Sequence, residues 1–84
     1  MLYRLFTENK NYEQVKKLVG NFFDGFTIIK AEGVWQGESE HSLIIEIERV
    51  KDDNIINVLC YRIKKLNEQD KILVQKIESE SKLV

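Results

Sequence analysis

Two segments of this 84-residue chain carry apolar residues at helical spacing, and each lies between short segments of strand character. The first runs from Tyr12 to Phe23 and the second from Ile55 to Leu66, with apolar residues three and four positions apart in both. A stripe of this kind makes only one side of a helix apolar, so each helix needs another layer to pack against. The pattern therefore predicts a layered α+β domain.

Four segments supply the strands, at residues 2–7, 26–35, 42–50 and 71–77. The polar stretch 36–41 separates the second strand from the third and predicts a hairpin connection. The resulting order β-α-β-β-α-β predicts a ferredoxin-like sandwich, in which a four-stranded antiparallel sheet carries both helices on one face. Without an internal linker or repeat, residues 1–78 are expected to form a single domain, and residues 79–84 a frayed tail.

The ends of the predicted helices carry recognisable signals. Asn11 is placed as an N-cap, and Gln14 three residues later completes the pattern of a capping box. Asp24-Gly25 ends the first helix with a turn, and either Asp52 or Asp53 can cap the second. The polar run at 67–70 is expected to interrupt the chain before the last strand.

The face of the sheet that the helices leave open is the most informative predicted surface. In strand 42–50, the residues Leu43, Ile45 and Ile47 are expected to face the helices, which leaves Ile44, Glu46 and Glu48 for the open face. The first two strands carry apolar groups on both sides, so alternatives stay open: Arg4 with Phe6 or Tyr3 with Leu5, and Lys30 with Glu32 or Ala31 with Gly33 and Trp35. A small sheet with two apolar faces often buries the second against another subunit, which makes a homo-oligomer a natural expectation. Scattered surface apolar residues are the other interpretation.

Composition and charge exclude several classes of function. The net charge is −1 and the pI about 5.8, whereas a protein that binds the phosphate backbone usually carries a basic excess. Strand 42–50 also lacks the aromatic residues on which RNA-binding sheets stack bases. Nucleic acid is therefore not an expected partner. A membrane is not expected either, because no apolar run approaches the length of a bilayer span.

The single cysteine, Cys60, lies in the apolar stripe of the second helix and is expected to be a buried structural thiol. One cysteine allows no disulfide within the chain, which favours a reducing cytoplasm. No nucleotide-binding, zinc-binding or calcium-binding motif occurs, so the sequence predicts no cofactor, no metal and no catalytic residue.

The stretch 33–42, GVWQGESEHS, gathers the only tryptophan and the only histidine. Trp35 is the stronger lead, because tryptophan is enriched at binding hot spots, although core or hairpin packing would also explain it. His41 with Glu38 and Glu40 could form an acid–base or metal cluster, but a solvated hairpin explains the same residues more simply. The candidate binding residues are Trp35, His41, Glu38, Arg4, Glu46 and Glu48.

Three short motifs carry a resemblance to a known group. Gly25-Phe26-Thr27 opens the second strand, Gly33 and Trp35 close it, and Ser42-Leu43-Ile44-Ile45 begins the third. Over residues 3–77 the chain resembles small bacterial and phage proteins with a ferredoxin-like domain of unassigned function. The resemblance implies a turn glycine, a strand, a packed tryptophan and a short accessory gene product of a phage or mobile element. It carries over no catalytic residue.

These observations favour a non-enzymatic binding or interaction protein. It would be a homodimer or a larger oligomer that uses its sheet face or the 35–41 hairpin. If it is encoded by a phage, its natural roles are to inhibit a host protein or to sequester a small nucleotide signal. The alternative is a small dimeric enzyme or ligand-binding domain in which His41 or a strand glutamate acts as acid or base. A nucleic-acid accessory protein ranks third.

Overall fold

The computed structural model describes residues 1–78 and 80–84, and in this part of the chain the elements follow the predicted order. They are β1 (Leu2–Glu8), α1 (Tyr12–Phe22), β2 (Thr27–Trp35), β3 (Glu38–Ile47), α2 (Asp53–Asn67) and β4 (Leu73–Ile77). The strands form one antiparallel sheet in the order β2-β3-β1-β4. The ferredoxin-like α+β sandwich is therefore confirmed.

The core lies between one side of the sheet and the two helices. Every second residue of β1, and of β3 from Leu43 onward, is buried there: Tyr3, Leu5, Thr7, Leu43, Ile45 and Ile47. The helices contribute the buried members of their stripes: Val15, Val19, Ile56, Leu59, Cys60 and Ile63. Burial of Tyr3 with Leu5 decides between the alternatives for the first strand, because it turns Arg4 and Phe6 to the open face.

The hairpin between β2 and β3 is tighter than the sequence predicts. Gln36 and Gly37 have φ angles of 51° and 81°, and positive φ at both central residues is the requirement of a two-residue type I′ turn. The prediction that residues 36–41 form a polar connection is therefore wrong, because β3 already begins at Glu38. The strand also ends at Ile47 rather than at residue 50, and the chain turns at Arg49 with a φ of 60°.

Of the two predicted N-terminal caps, the structure shows the one on α2 but not the one on α1. Asp52 caps α2, since its carboxylate accepts a hydrogen bond of 2.9 Å from the backbone N–H of Asn54. Asn11 precedes α1 but makes no side-chain cap, so the capping box with Gln14 is wrong. Its left-handed backbone (φ 52°) turns the amide instead toward Asn67, where Nδ2 donates to Oδ1 over 3.0 Å.

A buried polar network joins the end of β1 to the end of α2. The amide oxygen of Gln69 accepts hydrogen bonds from the Thr7 hydroxyl at 2.7 Å and from Asn67 Nδ2 at 2.9 Å, while Gln69 Nε2 donates to the carbonyl of Lys71 at 2.8 Å. The sequence marked 67–70 only as a polar break. In the structure these residues instead fasten α2 to the sheet, and all three side chains of the network are buried.

The predicted tail, residues 79–84, includes Ser79, which lies outside the described residues. Residues 80–84 are exposed and belong to no helix or strand, and the Ser81 hydroxyl donates to Glu48 over 2.9 Å. Among the helices of the described chain, none is both long enough and apolar enough to cross a membrane.

The buried network yields a first prediction. Gln69→Ala removes the acceptor shared by Thr7 and Asn67, and a buried donor left without a partner costs about 1–3 kcal/mol. We expect the free energy of unfolding in urea to fall by that amount. Gln14→Ala is the matched control and should change it little, because Gln14 is exposed and caps nothing. Equal losses in both variants would contradict a stabilising role for the network.

Candidate functional site: the open face of the sheet

The register of the four strands aligns apolar side chains across the whole open face. Ile29 pairs with Ile44, Ile44 with Phe6, and Phe6 with Leu73. We call these four residues the apolar row. Its outer members lie on the edge strands and are 41% (Ile29) and 59% (Leu73) exposed, while Ile44 and Phe6 in the centre are half-buried. One strip of the sheet therefore presents apolar atoms to solvent from edge to edge.

A second row, the polar row, lies two residues further along each strand: Thr27, Glu46, Arg4 and Gln75. Its two charges belong to the central strands and pair with each other, because Arg4 Nε lies 2.8 Å from Glu46 Oε2. An ion pair this close to solvent adds little to stability, but it leaves the row without net charge. The structure thus shows Glu46 on the open face as predicted, and of the two alternatives for β1 it places Arg4 with Phe6 on this face.

Beyond the pairing of β1 with β3, which ends at Glu8 and Ser42, the hairpin arm (residues 32–41) continues as β2 paired with β3. Trp35 lies at its tip on the same side as the apolar row and is 75% exposed. The packed tryptophan that the resemblance implied is therefore wrong. Trp35 makes no part of the core, and its ring is available to a partner.

The arm separates the residues that looked like a cluster in the sequence. Strand alternation places Glu38 and Glu40 on the open face, opposite Trp35 and Gly33 in the partner strand. His41 pairs with Glu32 and points to the other side. Among the described residues, no group of three or more His, Cys, Asp or Glu side chains is arranged to hold a metal ion. The interpretation of the stretch as a solvated hairpin thus accounts for it better than an acid–base cluster.

An open groove of about 830 Å³ borders the polar row at the end of the sheet. Three carboxylates, from Asp24, Glu46 and Glu48, line it beside the guanidinium of Arg49. Glu48 lies just beyond β3, so the prediction that it is a strand residue is wrong, and it lines this groove beside the open-face residues Glu46 and Thr27. The remaining lining residues are Leu2, Phe23, Gly25, Phe26 and Thr27.

An ionisable cluster on the helix side joins three elements. The Tyr3 hydroxyl of β1 donates to Asp53 in the first turn of α2, and Lys76 Nζ of β4 lies 3.0 Å from the other carboxylate oxygen. The hydrogen bonds from Tyr3 and Lys76 lower the pKa of Asp53. Burial and the bond to Asp53 raise the pKa of Tyr3, and the bond to Asp53 raises that of Lys76.

Cys60 behaves as the sequence predicts. It is buried in the stripe of α2, and desolvation raises the pKa of its thiol, which keeps it in the unreactive protonated form.

Comparison with known proteins places this architecture among ferredoxin-like α+β domains. A DUF3240 family protein from Shewanella baltica superposes with a TM-score of 0.69 at 14% identity, over 99% of this chain and 94% of its own. A phage SAM lyase in its apo state gives 0.63 at 16%, over 87% and 75%. The Bacillus subtilis GlnK–ATP complex gives 0.54 at 21%, over 90% and 81%.

These similarities establish the fold, and they confirm the resemblance to small ferredoxin-like proteins. No family model matches the chain, and no curated protein is significantly similar to it. At identities of 14–21%, these similarities show the fold alone.

The ionisable cluster predicts how stability depends on acid. Because the pKa of Asp53 is lowered in the folded state, its contribution is complete above the unfolded value near 4 and disappears as the pH falls through the lower folded value. Asp53→Asn lacks this contribution. We expect it to be less stable than the wild type at neutral pH, and the difference in urea unfolding to shrink below about pH 4.

Asp70→Asn is the matched control, because Asp70 is an exposed aspartate outside the cluster, and it should change the free energy of unfolding little. A constant difference for Asp53→Asn across the same range would show that its charge is not linked to folding.

Proposed function

We propose that this chain is a non-enzymatic binding protein that acts through the open face of its sheet. The observation that carries the proposal is the apolar row, which runs unbroken across the four strands on the side opposite α1 and α2. Covering apolar surface is favourable by about 25 cal/mol for each Å² removed from water, so this strip is a source of binding free energy. Contiguous exposed apolar patches of this kind mark interaction sites.

The placement of the candidate acid–base residues supports a function without catalysis. A general base has to reach the same reacting atom as its partner groups. His41 and Glu38 lie on opposite sides of the hairpin arm, and Glu46 is held by Arg4. The open face therefore offers a contact surface rather than a convergent site.

The role we propose in more detail is that of an accessory protein from a phage or mobile element. The open face would cover a surface of a host protein and inhibit it, or the chain would sequester a small nucleotide signal. Similarity in fold to a phage SAM lyase and to GlnK bound to ATP makes adenosine-containing compounds the first small molecules to test.

The groove is the observation that favours the alternative, a small dimeric enzyme or ligand-binding domain. Its volume suits a small molecule, and Arg49 together with Glu48 offers charges of both signs to one. His41 takes no part in this groove, so under the alternative the acid or base would be a glutamate.

Capture from the native host tests the proposed function. The bait is the tagged chain, and the test variants are Ile29→Lys and Leu73→Lys, which place a charge in the apolar row on edge strands that tolerate it. Val58→Lys is the matched control, because Val58 is 49% exposed on α2, away from the sheet face. We expect the wild type and the control to capture the same protein, identified by mass spectrometry. Each row variant should capture less than a tenth of the amount that the wild type captures.

Partners captured equally by all four baits would contradict the open face as the binding surface.

Calorimetric titration with SAM and with ATP separates the alternative from the proposal. Binding that is weakened at least tenfold by Arg49→Ala, and left intact by Leu73→Lys, would favour a ligand site in the groove. Tryptophan fluorescence is a poor reporter there, since Trp35 lies at the far end of β2, about 26 Å from Thr27 at 3.3 Å per residue.

A further inference from the structure

We infer that the partner on the open face is a second copy of this chain. The two sheets pack face to face about a two-fold axis that lies between them, runs parallel to the strands and is level with the gap between β1 and β3. The inference rests on the proposed function, because it assumes that the open face is a binding surface. It goes further by naming the occupant and the contacts between the two copies, and a host protein that binds the open face would then compete with the second copy for it.

The apolar row has the symmetry that such an interface needs. A two-fold dimer brings the same patch of both copies together, so the patch has to complement itself. The proposed axis exchanges β1 with β3 and β2 with β4. Phe6 of one copy then meets Ile44 of the other, and Ile29 meets Leu73. Both contacts join apolar side chains, and all four members of the row become covered.

The polar row complements itself about the same axis. Arg4 and Glu46 lie on the two strands that the axis exchanges, so Arg4 of each copy faces Glu46 of the other. With the bond of 2.8 Å inside each chain, four charges of alternating sign surround the axis. The interface therefore buries no net charge from this row, and each charge keeps a partner, as buried charges require.

The remaining contacts near the axis bring no like charges together. In the polar row, Thr27 of one copy faces Gln75 of the other. On the other side of the apolar row, Ser42 of one copy faces Glu8 of the other, whose carboxylate can accept a hydrogen bond from the serine hydroxyl. Face-to-face sheets lie about 10 Å apart with strands within about 30° of alignment, which suits an axis parallel to the central strands. A highly charged partner fits less well, because the row that carries the contact is uncharged.

Sedimentation equilibrium of the purified chain from about 1 to 100 µM tests the inference in a range that covers a micromolar dimer. We expect the wild type and the control Val58→Lys to dimerise, and Leu73→Lys to dissociate at least tenfold more easily. A wild type that stays monomeric overturns the inference, as does a trimer, or a dimer that Leu73→Lys leaves unchanged.

Two variants that reverse opposite charges of the polar row test the position of the axis. Arg4→Glu gives a chain with two acids in the polar row, and Glu46→Arg gives a chain with two bases. Each alone places four like charges around the axis and should be monomeric. An equimolar mixture should form a heterodimer, because every contact between the two chains then joins opposite charges. A mixture that associates no more than its components overturns the proposed axis.

A second pair keeps the test decisive if either of those variants fails to fold. Ile29→Glu and Leu73→Lys lie on the edge strands, and the axis places residue 29 of one copy on residue 73 of the other. Mixed together, they pair glutamate with lysine at one edge and retain Leu73 on Ile29 at the other. Heterodimer formation supports the axis, and a mixture that remains monomeric contradicts it.

The two proposals can fail separately. Suppose that the purified chain is a monomer, yet Ile29→Lys and Leu73→Lys no longer capture a host protein that the wild type binds. The inference of a second copy is then wrong, and the proposal that the open face is a binding surface is supported. If the chain is a monomer and those variants lose no partner, both proposals are wrong. A dimer broken by Leu73→Lys supports both.

Discussion

The antiparallel pairing of β1 with β3 is the constraint on which the rest of the structure depends. It places Leu5 opposite Ile45 in the core, and the residues on either side in the sequence then have to face outward. A shift of β1 by one residue would turn Arg4 under the helices, away from water and from Glu46, and would leave a charge there without its partner. The register that builds the core therefore also builds the open face, because the apolar and polar rows are its reverse side.

The order of the elements could be predicted because α1, α2 and β3 each carry a clear period. Which side of β1 and β2 faces the helices could not be predicted from the sequence. Both sides of these strands carry apolar residues, and only the neighbouring elements decide which side is buried. A two-residue turn at Gln36-Gly37 would have settled β2, because counting back from it places Ile29 opposite Ile44. The turn escaped prediction because Gln36 takes a positive φ, which a residue with a Cβ adopts rarely.

The candidate site shows a different limit of the sequence. Trp35 and His41 are rare residues close together in the chain, but strand alternation places them on opposite sides of the sheet. The surface that carries the proposal consists of common residues from four separate segments, which only the register brings together. The burial of Gln69 could not be predicted either, because a polar residue in a polar run gives no sign that it will be buried.

Association and stability are coupled in a domain of this architecture. A chain of 84 residues hides only about 60–65% of its extended surface on folding, so one sheet with one helical layer encloses a small core. A partner that binds the open face binds only the folded state, since the apolar row exists only when four strands are in register. Its binding free energy therefore adds to that of folding. In the assembly that we propose, covering this face would therefore stabilise the folded chain, which would explain why a small domain carries apolar residues there.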